Sequence, residues 1–147
     1  MNNRNRIVAS TLLTLAGLGG VLAVRAHEAA AGAKITQLIG KEIAETLDGK
    51  KAQFTMTEVA YEPGQGSDPH RHPGPILGYV LEGEYEFGIN DQDSKILKVG
   101  DTFYEPTGTL HRVSRNPSAT GRTRVLAVSV SPQGAKRAAP AKPKDEK

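Results

Sequence analysis

From Gln53 onward, apolar and polar positions alternate in short runs that Gly, Pro, Asn or Asp bring to an end: Gln53 to Tyr61, Ile76 to Leu81, Tyr85 to Ile89, Ser94 to Val99, Thr102 to Glu105 and Val125 to Val130. A period of two sends successive side chains to opposite faces, so each run reads as a short strand with one face turned inward. Within Glu84 to Ile89 the alternation buries Tyr85, Phe87 and Ile89 and exposes Glu84 and Glu86, the pattern of a core wall. In Thr102 to Glu105, Phe103 and Glu105 share one face while Thr102 and Tyr104 share the other. Only Ile35 to Leu47 could hold a helix. Strands of this length and spacing predict an all-β sandwich or barrel.

The 147 residues suffice for one domain with a real core, and the two ends of the chain stand apart from it. Arg4 and Arg6 precede an apolar and small-residue run, Ile7 to Val24, and Val24 and Ala26 supply the small residues of a signal-peptidase site before His27. This predicts an export signal over 1–26. The 18-residue run approaches the length of a membrane span, but three glycines and three hydroxyl residues weaken it as an uncleaved anchor. Cleavage without stable membrane insertion is the expectation. Lacking cysteine, the chain has neither disulfide nor lipid attachment site, and a bacterial periplasm or the exterior is the predicted destination. Residues 135–147, rich in Ala, Pro and Lys, read as a disordered basic tail, which leaves 27–134 as the folded domain.

Charge sharpens this division. The formal net charge of +3 sits outside the domain: three arginines fall in the export segment and the tail carries five basic against two acidic residues, so 27–134 stands at −3. A mildly acidic body does not make a groove that tracks phosphates, and nucleic acid is not an expected partner. A serine nucleophile elbow, a phosphate-binding glycine loop and a cysteine metal pattern are all missing from the sequence.

Candidate chemistry lies in the histidines. Of four in the chain, His70, His72 and His111 fall near turns rich in Pro and Gly; His27, the fourth, sits at the expected new N-terminus and carries little weight. On extended backbone, residues i and i+2 point to one side, so His70 and His72 can reach the same ion, and His111 can join them from a distant segment. Neutral imidazole suits Fe, Zn, Cu, Ni or Mn. Pro63 with Gly64, Pro73 to Pro75, and Pro106 to Gly108 restrict the backbone on either side and would display these rings at a barrel rim.

Two motifs carry a resemblance to the cupin superfamily. Gly64, His70, His72 and Gly83 match the first, and Gly100, Pro106, Gly108 and His111 match the second; together they span residues 64–116. Two positions depart from the pattern: Ile76 stands where most relatives place a metal-binding Glu or Gln, and the Asn of the second motif falls one residue late, as Asn116. The resemblance implies the double-stranded β-helix, a small jelly-roll barrel with one divalent transition metal at its mouth, held here by His70, His72 and His111. It also implies that Glu105, just before Pro106, faces the metal pocket, as a replacement ligand, a general base or a partner for a ring nitrogen; the plain alternative is a rim glutamate in water. Tyr79 and Arg112 are weaker candidates for the site.

A neutral three-histidine face sets the chain apart from the oxalate-processing cupins, which keep the Glu, and makes it similar to the three-histidine cupin dioxygenases. The expected function is therefore an exported, metal-dependent dioxygenase acting on a small chelating anion or enolate, with Fe(II) as the metal of an oxygenase and Zn, Mn, Ni or Cu also compatible. A binding module that holds a metal or small ligand without turnover is one alternative. The other is a lyase or isomerase of a carbonyl compound or sugar acid, with the metal as Lewis acid and Glu105 as base. The partner is a small molecule in each case, and two copies could pair as a homodimer.

Overall fold

The computed structural model describes residues 32–142, so the expected export signal, its cleavage site and His27 lie outside the described residues. These residues form ten strands and no helix: β1 (Lys34–Leu47), β2 (Lys50–Tyr61), β3 (His70–Arg71), β4 (Ile76–Glu82), β5 (Glu84–Ile89), β6 (Lys95–Lys98), β7 (Thr102–Glu105), β8 (Leu110–Arg115), β9 (Thr123–Pro132) and β10 (Ala139–Pro140). Two five-stranded sheets result, in the orders β1-β2-β9-β4-β7 and β10-β3-β8-β5-β6, with antiparallel pairing throughout. The inner faces close on Tyr61, Ile76, Val80, Tyr85, Phe103 and Val125. Tyr85 and Phe103 lie 5.3 Å apart by ring centroid, and a Cβ at Gly78 would collide with the Phe103 ring, so Gly78 is what lets β7 close onto β4.

Alternation holds on both sheets. In β7, Phe103 and Glu105 are buried and Thr102 and Tyr104 exposed, and in β5 Tyr85 is buried while Glu84 is exposed. On the outer face of the first sheet the same period builds a cross-strand row, Ile39, Met56, Val128, Leu77 and Tyr104, one residue from each strand.

Two expectations are corrected. The segment considered for a helix, Ile35 to Leu47, is strand β1. Its apolar residues at 35, 38, 39 and 43 do not share one face of a regular strand, but register shifts between Gln37 and Ile39 and between Glu42 and Thr46 reset the phase. Pairing along the whole length of β2 then fixes the backbone, since β2 would otherwise leave a row of open hydrogen-bonding groups. The expected disordered tail, 135–147, is structured through Lys142, the last described residue. The chain turns at Gly134, where φ is 75°, and β10 pairs with β3, Ala139 against Arg71 and Pro140 against His70. The amide of Ala141 also donates to the carbonyl of Pro69 at 2.9 Å. These are backbone bonds, so a composition poor in apolar residues does not prevent the segment from docking.

Candidate metal centre

The two motifs are laced together by backbone bonds before any ion is considered. His70 pairs directly with His111 across the β3–β8 ladder. At the turn preceding β8, Gly108 adopts φ 72°, its amide donates to the carbonyl of His72 at 2.9 Å, and its own carbonyl accepts from Arg71 Nη1 at 2.7 Å. The positive φ at this turn favours glycine, and the turn in turn sets the height of His111 relative to His72.

His70, His72 and His111 each offer a ligand atom, all within 4.8 Å of one another. The ring nitrogens of the first two are sorted by their partners. His70 Nδ1 lies 2.7 Å from the carbonyl of Asp68, and His72 Nδ1 lies 2.8 Å from the carbonyl of Arg137 in the C-terminal segment. A carbonyl only accepts, so both Nδ1 atoms carry the hydrogen and both Nε2 atoms of the neutral rings are left with lone pairs. Those two Nε2 atoms face each other at 3.1 Å. Burial holds the His70 imidazole below its ordinary pKa, favouring the neutral ring. The donor set thus fits a divalent transition metal: hydrogen-bonded Nδ1 groups orient the rings and Nε2 lone pairs converge.

Glu105 adds a carboxylate. It is 2% exposed, which removes the alternative of a rim glutamate in water. Its Oε1 lies 3.2 Å from His111 Nδ1 and its Oε2 3.7 Å from His72 Nε2. Among the described residues, neither Glu105 Oε2 nor His111 Nδ1 has a hydrogen-bond partner. Ile76 is the direct cross-strand partner of Glu105 and lines the same cavity as apolar wall. That cavity measures about 190 Å³ and is lined by Phe103, Val125 and Ala127 from one sheet and by the histidines, Tyr85 and Ser114 from the other.

The weaker candidates go elsewhere. Tyr79 is 43% exposed on the outer face, and Arg112 donates to the carbonyls of Asn90 and Gln92, a loop clamp outside the cavity. Asn116 is a buried clamp: its Nδ2 reaches the carbonyls of Tyr61, Glu62 and Gly121, so the late Asn of the second motif holds a turn.

A chain of hydroxyls below the histidines was not anticipated. Tyr85 Oη lies 3.3 Å from His111 Nε2 and 2.7 Å from Ser114 Oγ, which is 2.7 Å from Tyr61 Oη; Tyr61 continues to Ser67 at 3.0 Å. Burial raises the Tyr61 hydroxyl above its ordinary pKa and the Tyr85 hydroxyl well above, so both stay protonated. Strict alternation along β8 would turn Ser114 away from His111. A register shift against Gly88 and Ile89 leaves Arg112 unpaired and brings both residues inside. The Arg137 carbonyl was also missed; a backbone acceptor carries no residue signature.

A family model described as a cupin domain matches residues 57–129. The chain belongs to the cupin superfamily. Among curated proteins, it is 36% identical over 67 residues to germin-like protein subfamily 2 member 2 of Arabidopsis thaliana, covering 42% of this chain and 31% of that one. It is 31% identical over 88 residues to oxalate oxidase 1 of Hordeum vulgare, covering 54% of this chain and 42% of that one. The chain thus spans less than half the length of these relatives. A solved cupin 2 domain-containing protein from Halorhodospira halophila aligns with a TM-score of 0.61 at 19% identity, over 78% of this chain and 73% of that one, a likeness of fold. The oxalate oxidase match is notable because Ile76 had set this cupin apart from the oxalate-processing group.

Proposed function

We propose that this cupin is a metal-dependent enzyme of the dioxygenase type that acts on a small chelating acid or enolate. The observation that carries the reading is the pair of Nε2 lone pairs facing each other at 3.1 Å, with both Nδ1 groups committed to carbonyls, at the end of a small cavity. Two neutral acceptors at that distance repel, and either a further proton on one ring or a metal ion between them relieves it; burial disfavours the charged His70 ring. His70, His72 and His111 would hold one divalent transition metal, with Fe(II) as the metal of an oxygenase and Zn, Mn, Ni or Cu compatible with imidazole donors. When bound, such an ion supplies open positions for a chelating anion and for Lewis-acid or redox chemistry.

The rest of the site performs positioning. About 190 Å³ is below the roughly 300–1,000 Å³ typical of drug-sized ligand sites, so the substrate is small. Phe103, Val125 and Ala127 keep water from that space, and Thr57, Ser67 and Ser129 provide hydroxyls for the polar end of an acid. Tyr85, fixed through Ser114, holds the His111 ring in place. Together with export to the periplasm, this reading describes a small extracytoplasmic enzyme working on a soluble metabolite.

The test is oxygen consumption by the mature protein loaded in turn with Fe(II), Mn(II), Cu(II), Ni(II) and Zn(II), offered a panel of oxalate, other short dicarboxylates and β-diketones. Turnover with a redox-active metal that disappears in His111→Ala supports the proposal. Tight binding of these acids without oxygen uptake or substrate loss under any metal makes the protein a binding module instead.

A further inference from the structure

We infer that Glu105 is a fourth protein ligand to the divalent cation, reaching it from β7, so that the centre is three imidazoles and one carboxylate. The inference rests on the metal-centre reading above and deepens it. Three observations carry it.

The first is spacing. With metal–ligand bonds of about 2.1 Å, two ligands at a right angle sit roughly 3.0 Å apart and two at a tetrahedral angle roughly 3.4 Å apart. His70 Nε2 to His72 Nε2 is 3.1 Å, His111 Nδ1 to Glu105 Oε1 is 3.2 Å and His72 Nε2 to Glu105 Oε2 is 3.7 Å. The carboxylate therefore stands from His111 and His72 at about the distance His70 Nε2 stands from His72 Nε2, while the histidine ligand atoms, which lie within 4.8 Å of one another, draw in further around one ion.

The second is lack of any other partner. Among the described residues, Glu105 is 2% exposed, Oε2 accepts no hydrogen bond, and its ion-pair contacts are the two imidazoles, with no Lys or Arg among them. A carboxylate taken out of water without compensation costs several kcal/mol. A proton on Glu105 would relieve one oxygen but would leave His70 Nε2 facing His72 Nε2. One cation would satisfy both nitrogens, His111 Nδ1 and Glu105 at once, where protons would have to be placed at two separate sites.

The third is the rung. Ile76 and Glu105 are direct partners on β4 and β7 and both turn into the cavity. Side chains paired in this way have Cβ atoms about 5 Å apart, so a carboxylate at either position covers nearly the same volume. Position 76 holds an apolar side chain while its neighbour across the ladder supplies the charge. The consequence for the substrate is electrostatic: a divalent ion with one carboxylate keeps a single net positive charge, which a singly charged chelating anion neutralises.

Co(II) tests this, because its visible absorption reports the ligand set independently of turnover. Wild type, Glu105→Gln, His70→Ala and the double variant Ile76→Glu with Glu105→Gln are titrated with Co(II) against a competing chelator, and each apo protein is checked for its β-sheet circular dichroism. The expected result is that Glu105→Gln binds Co(II) about a hundredfold more weakly with an altered spectrum, an effect at the upper end of what loss of even an outer partner produces. The double variant should regain most of that affinity. A Glu105→Gln protein that matches wild type in affinity and spectrum, while His70→Ala loses the metal, overturns the inference and leaves the three-histidine reading standing. So does a double variant no better than Glu105→Gln. Wild type that binds no Co(II), or His70→Ala that binds it as well as wild type, overturns both readings.

Discussion

The wall that the first sheet gives to the cavity and the wall that the second sheet gives it differ in chemistry. β4, β7 and β9 contribute Ile76, Phe103, Val125 and Ala127, apolar side chains in regular alternation, and among them stands Glu105. β3, β5 and β8, with the C-terminal segment, contribute His70, His72, His111, Tyr85 and Ser114, whose nitrogens and hydroxyls are sorted by hydrogen bonds to one another and to backbone carbonyls. The first wall offers apolar surface and, among the described residues, a carboxylate whose ion-pair contacts lie on the opposite wall. The second presents two imidazole Nε2 atoms facing each other at 3.1 Å. Under the proposed reading a cation held between the walls would satisfy both, which makes the burial of Glu105 chemistry and not a packing accident.

If the first wall is chiefly packing, the largest loss of stability should follow from opening it. Phe103 touches Tyr85 and Phe87, with centroids 5.3 and 4.8 Å away, and Phe103→Ala should cost about 3–5 kcal/mol in chemical denaturation of the apo protein. A loss under about 1 kcal/mol would mean that the wall is less tightly packed than its burial indicates.

The second wall depends on a segment that composition made look inert. Ending the chain after Gly134 removes β10 and the Arg137 carbonyl that orients His72 Nδ1. Loss of such an orienting partner should weaken metal binding by about ten- to a hundredfold while leaving the core intact, measured by chelator competition and denaturation of the same samples. Unchanged affinity would show that His72 is oriented without the Arg137 carbonyl.

The contrast between the walls also predicts a reversal of sign. Without metal, the Glu105 carboxylate is buried against two imidazoles with Oε2 lacking a hydrogen-bond partner among the described residues, so Glu105→Gln should raise the stability of the apo protein by about 1–3 kcal/mol even as it weakens the metal-bound form. Denaturation in the presence of a chelator and again at saturating metal decides it; destabilisation under both conditions would place Glu105 among ordinary hydrogen-bonded core residues.

The smallest expected effect comes from Tyr85→Phe. The ring stays packed while the bonds to His111 and Ser114 are lost, a cost of about 1 kcal/mol in stability together with a modest loss of metal affinity. A stability change without any change in affinity would confine the hydroxyl chain to the barrel floor.

How much of this was legible depended on whether the information resides in side-chain period or in backbone. Alternation alone placed Phe103 and Glu105 on one face, and the His-x-His spacing with the surrounding Pro and Gly brought the three rings within reach of each other. Ser114 escaped because a bulge at Arg112 reverses the period of β8 between it and His111. β1 escaped because two register shifts change the period of its apolar residues, and a strand of 14 residues that is almost wholly exposed leaves little inward face to read. The C-terminal segment escaped for a different reason: its attachment to β3 runs through amides and carbonyls, which any residues but proline's missing amide can supply.

The most direct test of the centre itself is the metal content of the protein purified from an exporting host, compared with His70→Ala and His111→Ala by elemental analysis. The account predicts about one transition-metal ion per wild-type chain and a small fraction of that in either variant. Equal metal content in all three, or none in the wild type even after loading with Fe(II), Mn(II) or Zn(II), would contradict it.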